Sequence, residues 1–78
     1  MEVRLRLNWG LGRYLPGSTV KGMKLALPEG TSMGILLEAY GIPVGEVGLI
    51  SVNGSLTRVD CILRDRDDVQ VYPPLDGG

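Results

Sequence analysis

The chain has no histidine and one cysteine, Cys61, among its 78 residues. The missing histidine removes the commonest general base and the commonest metal ligand together. A lone cysteine excludes an internal disulfide framework and every four-cysteine zinc or iron–sulfur site. With no histidine to activate it and mostly apolar sequence around it, Cys61 is expected to pack inertly rather than act as a nucleophile. No metal site is expected. Long hydrophobic runs are missing as well: none approaches the roughly 20 residues that span a bilayer, and no signal peptide opens the chain. The expectation is a soluble, cytoplasmic protein with no membrane partner. An excess of one charge is also lacking, and a formal net charge of −1 leaves no nucleic-acid footprint.

What is present is enough for one domain with a small core, which disfavours a large internal active site. Apolar residues make up 44% of the chain, too many for general disorder. The charge is uneven. Residues 1–30 carry five basic and two acidic side chains, residues 31–78 three and seven, so the two parts stand at +3 and −4. Asp65, Asp67, Asp68 and Asp76 give an acidic end, read either as a solvated rim or as a field that steers a partner.

Val3, Leu5 and Leu7 alternate with Glu2, Arg4 and Arg6, the pattern of a half-buried strand with one charged face. Asn8 to Val20 contains Gly10, Gly12, Pro16 and Gly17 and reads as a long loop or turn region. Trp9 and Tyr14 within it are expected to cover the edge of the core. Met23, Leu25 and Leu27 resume the alternation as a second strand, antiparallel to the first. Pro28-Glu29-Gly30 ends that strand, and Thr31 or Ser32 is placed to cap a helix. Met33, Leu36, Leu37 and Tyr40 then form one apolar stripe at helical spacing. Gly34 is small enough for close packing, and Gly41 with Pro43 stops the helix.

Leu49 to Val52 is a third strand, and Asn53-Gly54 is a tight-turn signal. Leu56 to Val59 reads as a short returning strand, and Cys61, Ile62 and Leu63 as contacts to the core. After the charged turn Arg64 to Asp68, Val69 and Val71 face inward on a last strand, with Gln70 and Tyr72 on its other side. One face of the sheet thus belongs to the helix. Arg4, Arg6, Gln70 and Tyr72, with Lys24 nearby, share the open face, where Tyr72 offers a rigid apolar body with a polar tip for a partner.

The chain closes on Tyr72-Pro73-Pro74-Leu75-Asp76-Gly77-Gly78. Neither proline has an N–H to add to a ladder, and both favour an extended, stiff exit from the fold. At about 3.1 Å per residue, the six residues from Pro73 reach roughly 18 Å from the body. Residues 1–74 are therefore taken as the domain and 75–78 as a flexible tail. Two residues without side chains at its tip suit a narrow channel, and a terminal carboxylate at Gly78 is ionised at neutral pH.

Strand, strand, helix, strand, short strand, strand is the order of the β-grasp, or ubiquitin-like, architecture: an α+β fold with a mixed sheet and one main helix packed on one face. The last strand is then expected beside the first, in the middle of the sheet. From Leu27 onward the sequence resembles the MoaD/ThiS sulfur-carrier family, of the molybdopterin-synthase small subunit type. The resemblance rests on Thr31-Ser32 leading into Leu36-Leu37, Gly41-Ile42-Pro43, Val52-Asn53-Gly54 and Asp65-x-Asp67-x-Val69, followed by Val71-Tyr72-Pro73-Pro74 and Gly77-Gly78. The doubled proline is more like the molybdopterin branch than the thiamine-thiazole branch. Arg66 departs from the pattern, since that family usually has glycine between the two aspartates. A left-handed turn would cost a non-glycine residue about 1–2 kcal/mol, so a different turn type is expected there. Residues 8–20 match only loosely.

The resemblance implies a protein co-substrate, not an enzyme. An E1-like adenylating enzyme would activate the Gly78 carboxylate with ATP, which this chain itself does not bind as a cofactor. A sulfur donor would then convert the adenylate to a thiocarboxylate for a synthase of the molybdopterin large-subunit type. Gly77 and Gly78 would be the adenylation and thiocarboxylate site, and Tyr72, Pro73, Pro74, Leu75, Asp76, Arg4 and Arg6 the partner-binding residues. The other readings are a modifier joined to lysines through Gly78, a thiazole sulfur carrier, and a plain β-grasp interaction module. A β-grasp ferredoxin is excluded by the single Cys61.

Overall fold

The computed structural model describes residues 1–17 and 21–75. Strand β1 (Glu2–Leu7) is followed by a 3-10 helix (Trp9–Tyr14), strand β2 (Met23–Ala26) and helix α1 (Met33–Ala39). A short 3-10 helix (Val44–Glu46) leads to β3 (Leu49–Val52), β4 (Ser55–Thr57) and β5 (Asp68–Tyr72). The five strands form one sheet in the order β2-β1-β5-β3-β4. β1 and β5 run parallel at its centre, and the other neighbours are antiparallel. This is the β-grasp expected from the order of elements.

Alternation sorts the residues onto two faces, as a period of two requires. Val3, Leu5, Val69, Val71 and Ile50 point to one side, where Met33, Leu36 and Leu37 of α1 cover them, and all eight are buried. Leu7, paired with Val71 in register, is only half-buried at the end of β1. Full burial of such side chains contributes about 1.5–3 kcal/mol each. The helix begins where the sequence indicated: the Ser32 Oγ accepts from the Ile35 N–H at 3.2 Å. It ends in a Schellman arrangement. The Gly41 N–H donates to Glu38 O at 3.0 Å and the Ile42 N–H to Leu37 O at 2.9 Å, with φ of +69° at Gly41. Gly34 packs closely as anticipated, its N–H donating to Val59 O at 2.7 Å.

Three local expectations need correction. Residues 9–14 are not loop but 3-10 helix, and Leu11 within it and Leu15 directly after it enter the core. Their i, i+4 spacing was a helical signal outweighed by the glycines around it; the short helix is stabilised by burying leucines, not by propensity. The returning strand starts earlier than expected, at Ser55, because the Asn53-Gly54 turn takes two residues and pairing resumes at once, Val52 opposite Ser55. Its central positions have φ of +53° and +85°, the sense of a type I′ turn. Arg66, third, does adopt the left-handed conformation, with φ of +69°. The surroundings hold it there. Its N–H donates to Glu2 O at 2.6 Å, the Glu2 N–H donates to Asp65 Oδ1 at 2.7 Å, and the Arg64 N–H to Asp67 Oδ2 at 2.8 Å. Of the run Cys61-Ile62-Leu63, Leu63 is buried and Cys61 half-buried, while Ile62 is exposed.

Among the described residues no helix is long and apolar enough to cross a membrane, and no cluster of three or more His, Cys, Asp or Glu side chains is arranged to hold a metal ion.

Candidate functional site

β5 carries the C-terminal arm out of the centre of the sheet, and the last ladder bonds fix its root. Leu49 stands opposite Tyr72 in register. One residue earlier on that side, the Gly48 N–H donates to Tyr72 O at 2.7 Å. Pro73 has no N–H to return the bond, so pairing stops there. On the other side of β5, the backbone N–H of Asn8 and its side-chain amide both donate to Val71 O, at 3.0 and 3.2 Å. The arm therefore leaves from a position braced by β3 and by the chain following β1. Pro73 is half-buried, and Pro74 and Leu75 are exposed. Gly48, Leu49, Pro74 and Leu75 line an open groove beside the root. Asp76, Gly77 and Gly78 lie outside the described residues.

The open face of the sheet has two unlike ends. Near the arm it is apolar. Tyr72 is half-buried, its hydroxyl donating to Gln70 Oε1 at 3.0 Å. Trp9 meets it edge-on and remains 64% exposed, so this indole does not cover the core edge as expected, whereas Tyr14 does pack against the core. Leu49 and Leu56 lie on the same face by register, through Leu49 opposite Tyr72 and Leu56 opposite Ser51, which pairs in turn with Gln70. Both are exposed, Leu56 at 72%. Exposed large side chains on the face from which a chain end departs are a typical mark of an interaction surface.

The far end of the same face is basic. Arg4 is paired in register with Lys24, and Glu2, Val3, Arg4, Lys24 and Arg66 line a shallow groove. The Arg4 guanidinium donates to Lys21 O at 2.8 Å. Arg6, the other arginine expected to meet a partner, is joined to Asp68 at 2.7 Å. Its charge is thus largely answered within the chain. Tyr72, Pro73, Pro74 and Leu75 are brought together at the arm, Arg6 lies one strand away, and Arg4 stands toward the basic end.

Sequence reasoning missed Trp9, Leu49, Leu56 and Gly48. Alternation about Ile50 and across the Asn53-Gly54 turn places both leucines opposite the core face, so that signal was available. Trp9 and Gly48 had none, because their roles depend on where distant residues lie.

The same architecture recurs in solved structures. A protein from Pyrococcus furiosus provisionally named molybdopterin converting factor, subunit 1, superposes with a TM-score of 0.74 at 24% identity, covering 96% of this chain and 99% of that one. SAMP1 from Haloferax volcanii gives a TM-score of 0.70 at 13% identity with both chains covered in full. A structure of small archaeal modifier protein 1 from the same organism gives 0.71 at 12% identity, over 95% of this chain and 98% of that one. At these identities the likeness is one of fold. No curated protein sequence matches the chain. A family model, Mut7-C ubiquitin, matches residues 1–76, which include both central strands and the root of the arm. The chain therefore belongs to the Mut7-C ubiquitin family, and its fold is the β-grasp.

Proposed function

We propose that this protein is a sulfur carrier acting as a co-substrate through the carboxylate of Gly78. The observation that carries the reading is the arm itself, which leaves the central strand at Tyr72 on two prolines, with the exposed Trp9 and Leu49 at its root and the exposed Leu56 on the same face of the sheet. A carboxylate is a poor electrophile. Its attack on the α-phosphorus of ATP, in the site of an E1-like enzyme, releases pyrophosphate and leaves an acyl-adenylate. A sulfur donor then displaces AMP to leave a terminal thiocarboxylate, which the arm presents to a synthase. The P. furiosus neighbour named for molybdopterin conversion supports a molybdopterin-type synthase as acceptor. In this reading the chain performs no catalysis; the body docks and the arm reaches.

The test is ATP–pyrophosphate exchange with an activating enzyme, followed by mass spectrometry of the intact protein. Exchange, with replacement of one oxygen by sulfur, is expected for the full chain and not for a chain lacking Gly77 and Gly78. Exchange that survives deletion of both glycines overturns the reading. The neighbour named as a modifier favours a second reading, isopeptide attachment of Gly78 to lysines of other proteins. Covalent adducts in place of the sulfur exchange select it.

A further inference from the structure

Gly48 is exposed and lies outside the core, and it is not among the glycines with positive φ. What sets it apart is space. A Cβ at this position would stand 2.6 Å from Pro73 O, 2.7 Å from Pro73 C and 2.7 Å from Pro74 Cα. All three are backbone atoms, so no side-chain rotation relieves the overlap; the arm and the chain at position 48 must move apart. The Gly48 N–H at the same time holds Tyr72 O at 2.7 Å, directly before the two prolines.

We infer that Gly48 is a positioning residue for the C-terminal arm: by having no side chain it seats the Pro73–Pro74 backbone across the end of β3, and that seat sets the direction in which the terminal carboxylate is presented. The inference rests on the carrier reading above for its consequence, but the seat itself is a matter of geometry. A prolyl arm behaves as a semi-rigid spacer. The direction of such a segment is decided at its root, and a shift there displaces the point from which the residues beyond Pro74 start. Reacting groups tolerate little of this: a misplacement of about 1 Å lowers a rate roughly a hundredfold. Alanine at position 48 therefore affects delivery of the carboxylate more than docking of the body, whose apolar surface includes Trp9 and Leu56, both on other elements.

The experiment compares unsubstituted protein, Gly48→Ala, Pro74→Gly and the double variant. Exchange kinetics with an activating enzyme are expected to show kcat for Gly48→Ala lowered roughly ten- to a hundredfold with KM little changed. Pro74→Gly in the same chain frees φ at that position, softens the arm and is expected to restore part of the lost kcat. Unchanged kcat in Gly48→Ala overturns the inference, as does a loss confined to KM, or a loss of kcat that the second substitution does not relieve. A measurement on the unsubstituted protein needs neither enzyme nor variant. One-bond Cα–Hα residual dipolar couplings of Pro73 and Pro74 are expected to fit the alignment tensor of β3 and β5. Couplings averaged toward zero overturn the seat even if every variant fails to fold. Failure of the unsubstituted protein to support exchange overturns the carrier reading instead, and the couplings still decide the seat.

Discussion

The indole of Trp9 meets the ring of Tyr72 edge-on, with centroids 5.5 Å apart and 64° between the planes. Such a pair contributes about 0.5–1.5 kcal/mol. It is obtained against resistance from the backbone, because Trp9 has φ of +56°, a conformation that disfavours bulky residues. Strain of this kind, held at an exposed aromatic beside the root of the arm, points to a role on the surface rather than in the core.

A comparison of two substitutions at position 9 separates these effects. Trp9→Gly loses the aromatic contact but relieves the left-handed strain, by roughly 1–2 kcal/mol, so its folding stability is expected to stay close to that of the parent. Trp9→Ala loses the contact and keeps the strain, and is expected to be less stable than Trp9→Gly by about 1 kcal/mol. Both are expected to bind a partner more weakly. Urea unfolding and titration against an activating enzyme check the two halves; equal stability of the two variants would remove the argument from strain.

Arg66 offers a cleaner case. Its side chain is 90% exposed, and its ionic contact to Asp65 at 3.9 Å lies in solvent, where such pairs are worth little. Its φ of +69° is nevertheless that of a glycine position. Arg66→Gly keeps the N–H that donates to Glu2 O and is expected to stabilise the fold by about 1 kcal/mol, less the extra entropy glycine gives the unfolded chain. A higher urea midpoint at unchanged slope is the expected result. A lower midpoint would mean that the arginine side chain contributes more than its exposure suggests.

The charged turn before β5 is tied to the Asn53-Gly54 turn by hydrogen bonds that replace solvent. Asn53 Nδ2 donates to Asp67 Oδ1 at 2.9 Å and Asn53 Oδ1 accepts from the Asp68 N–H at 2.9 Å. Asp67, buried, also accepts from the Arg64 N–H. Removing Asp67 leaves those donors without their acceptor, and Asp67→Ala is expected to cost about 1–3 kcal/mol. Since Asn53 shares the network, Asn53→Ala and Asp67→Ala together are expected to cost less than the sum of the two, with a coupling of at least about 0.5 kcal/mol. Thermal unfolding of all four proteins measures it, and strict additivity would show two independent turns.

Most of the fold was legible because one signal per element dominates: period two for β1, β2 and β5, the i, i+3, i+4 stripe for α1, and Asn53-Gly54 for the turn. The central place of β5 came from the order of the elements, which is that of the β-grasp. What the sequence did not reveal turns on distance. The segment Trp9–Tyr14 is helical because Leu11 and Leu15 find the core, which no local preference states. Arg66 is left-handed because Glu2, 64 positions earlier, accepts its N–H. At the arm, Tyr72 and the prolines were readable as a root, whereas Gly48 has meaning only once Pro73 and Pro74 are known to lie on it.

The open face yields the last expectation, since its two arginines differ in kind. Arg6 is held by Asp68, with both side chains partly shielded from solvent. Arg6→Glu therefore brings two carboxylates together within the chain and is expected to lower stability by roughly 1 kcal/mol, an effect that fades as salt is added. Any loss of partner binding in that variant is mixed with damage to the sheet. Arg4, whose guanidinium donates to the Lys21 backbone carbonyl, and Leu56, whose side chain is largely in solvent, are free of that complication among the described residues. Tyr72→Ala and Leu56→Ser are expected to weaken association with an activating enzyme by about 1–2 kcal/mol each, mainly through faster dissociation. Arg4→Glu is expected to slow association in a salt-dependent way and to leave dissociation nearly unchanged. Stopped-flow binding at two ionic strengths separates the two patterns. If Leu56→Ser and Tyr72→Ala leave both rates at parental values while the melting curves are intact, the docking surface lies on another face of the molecule.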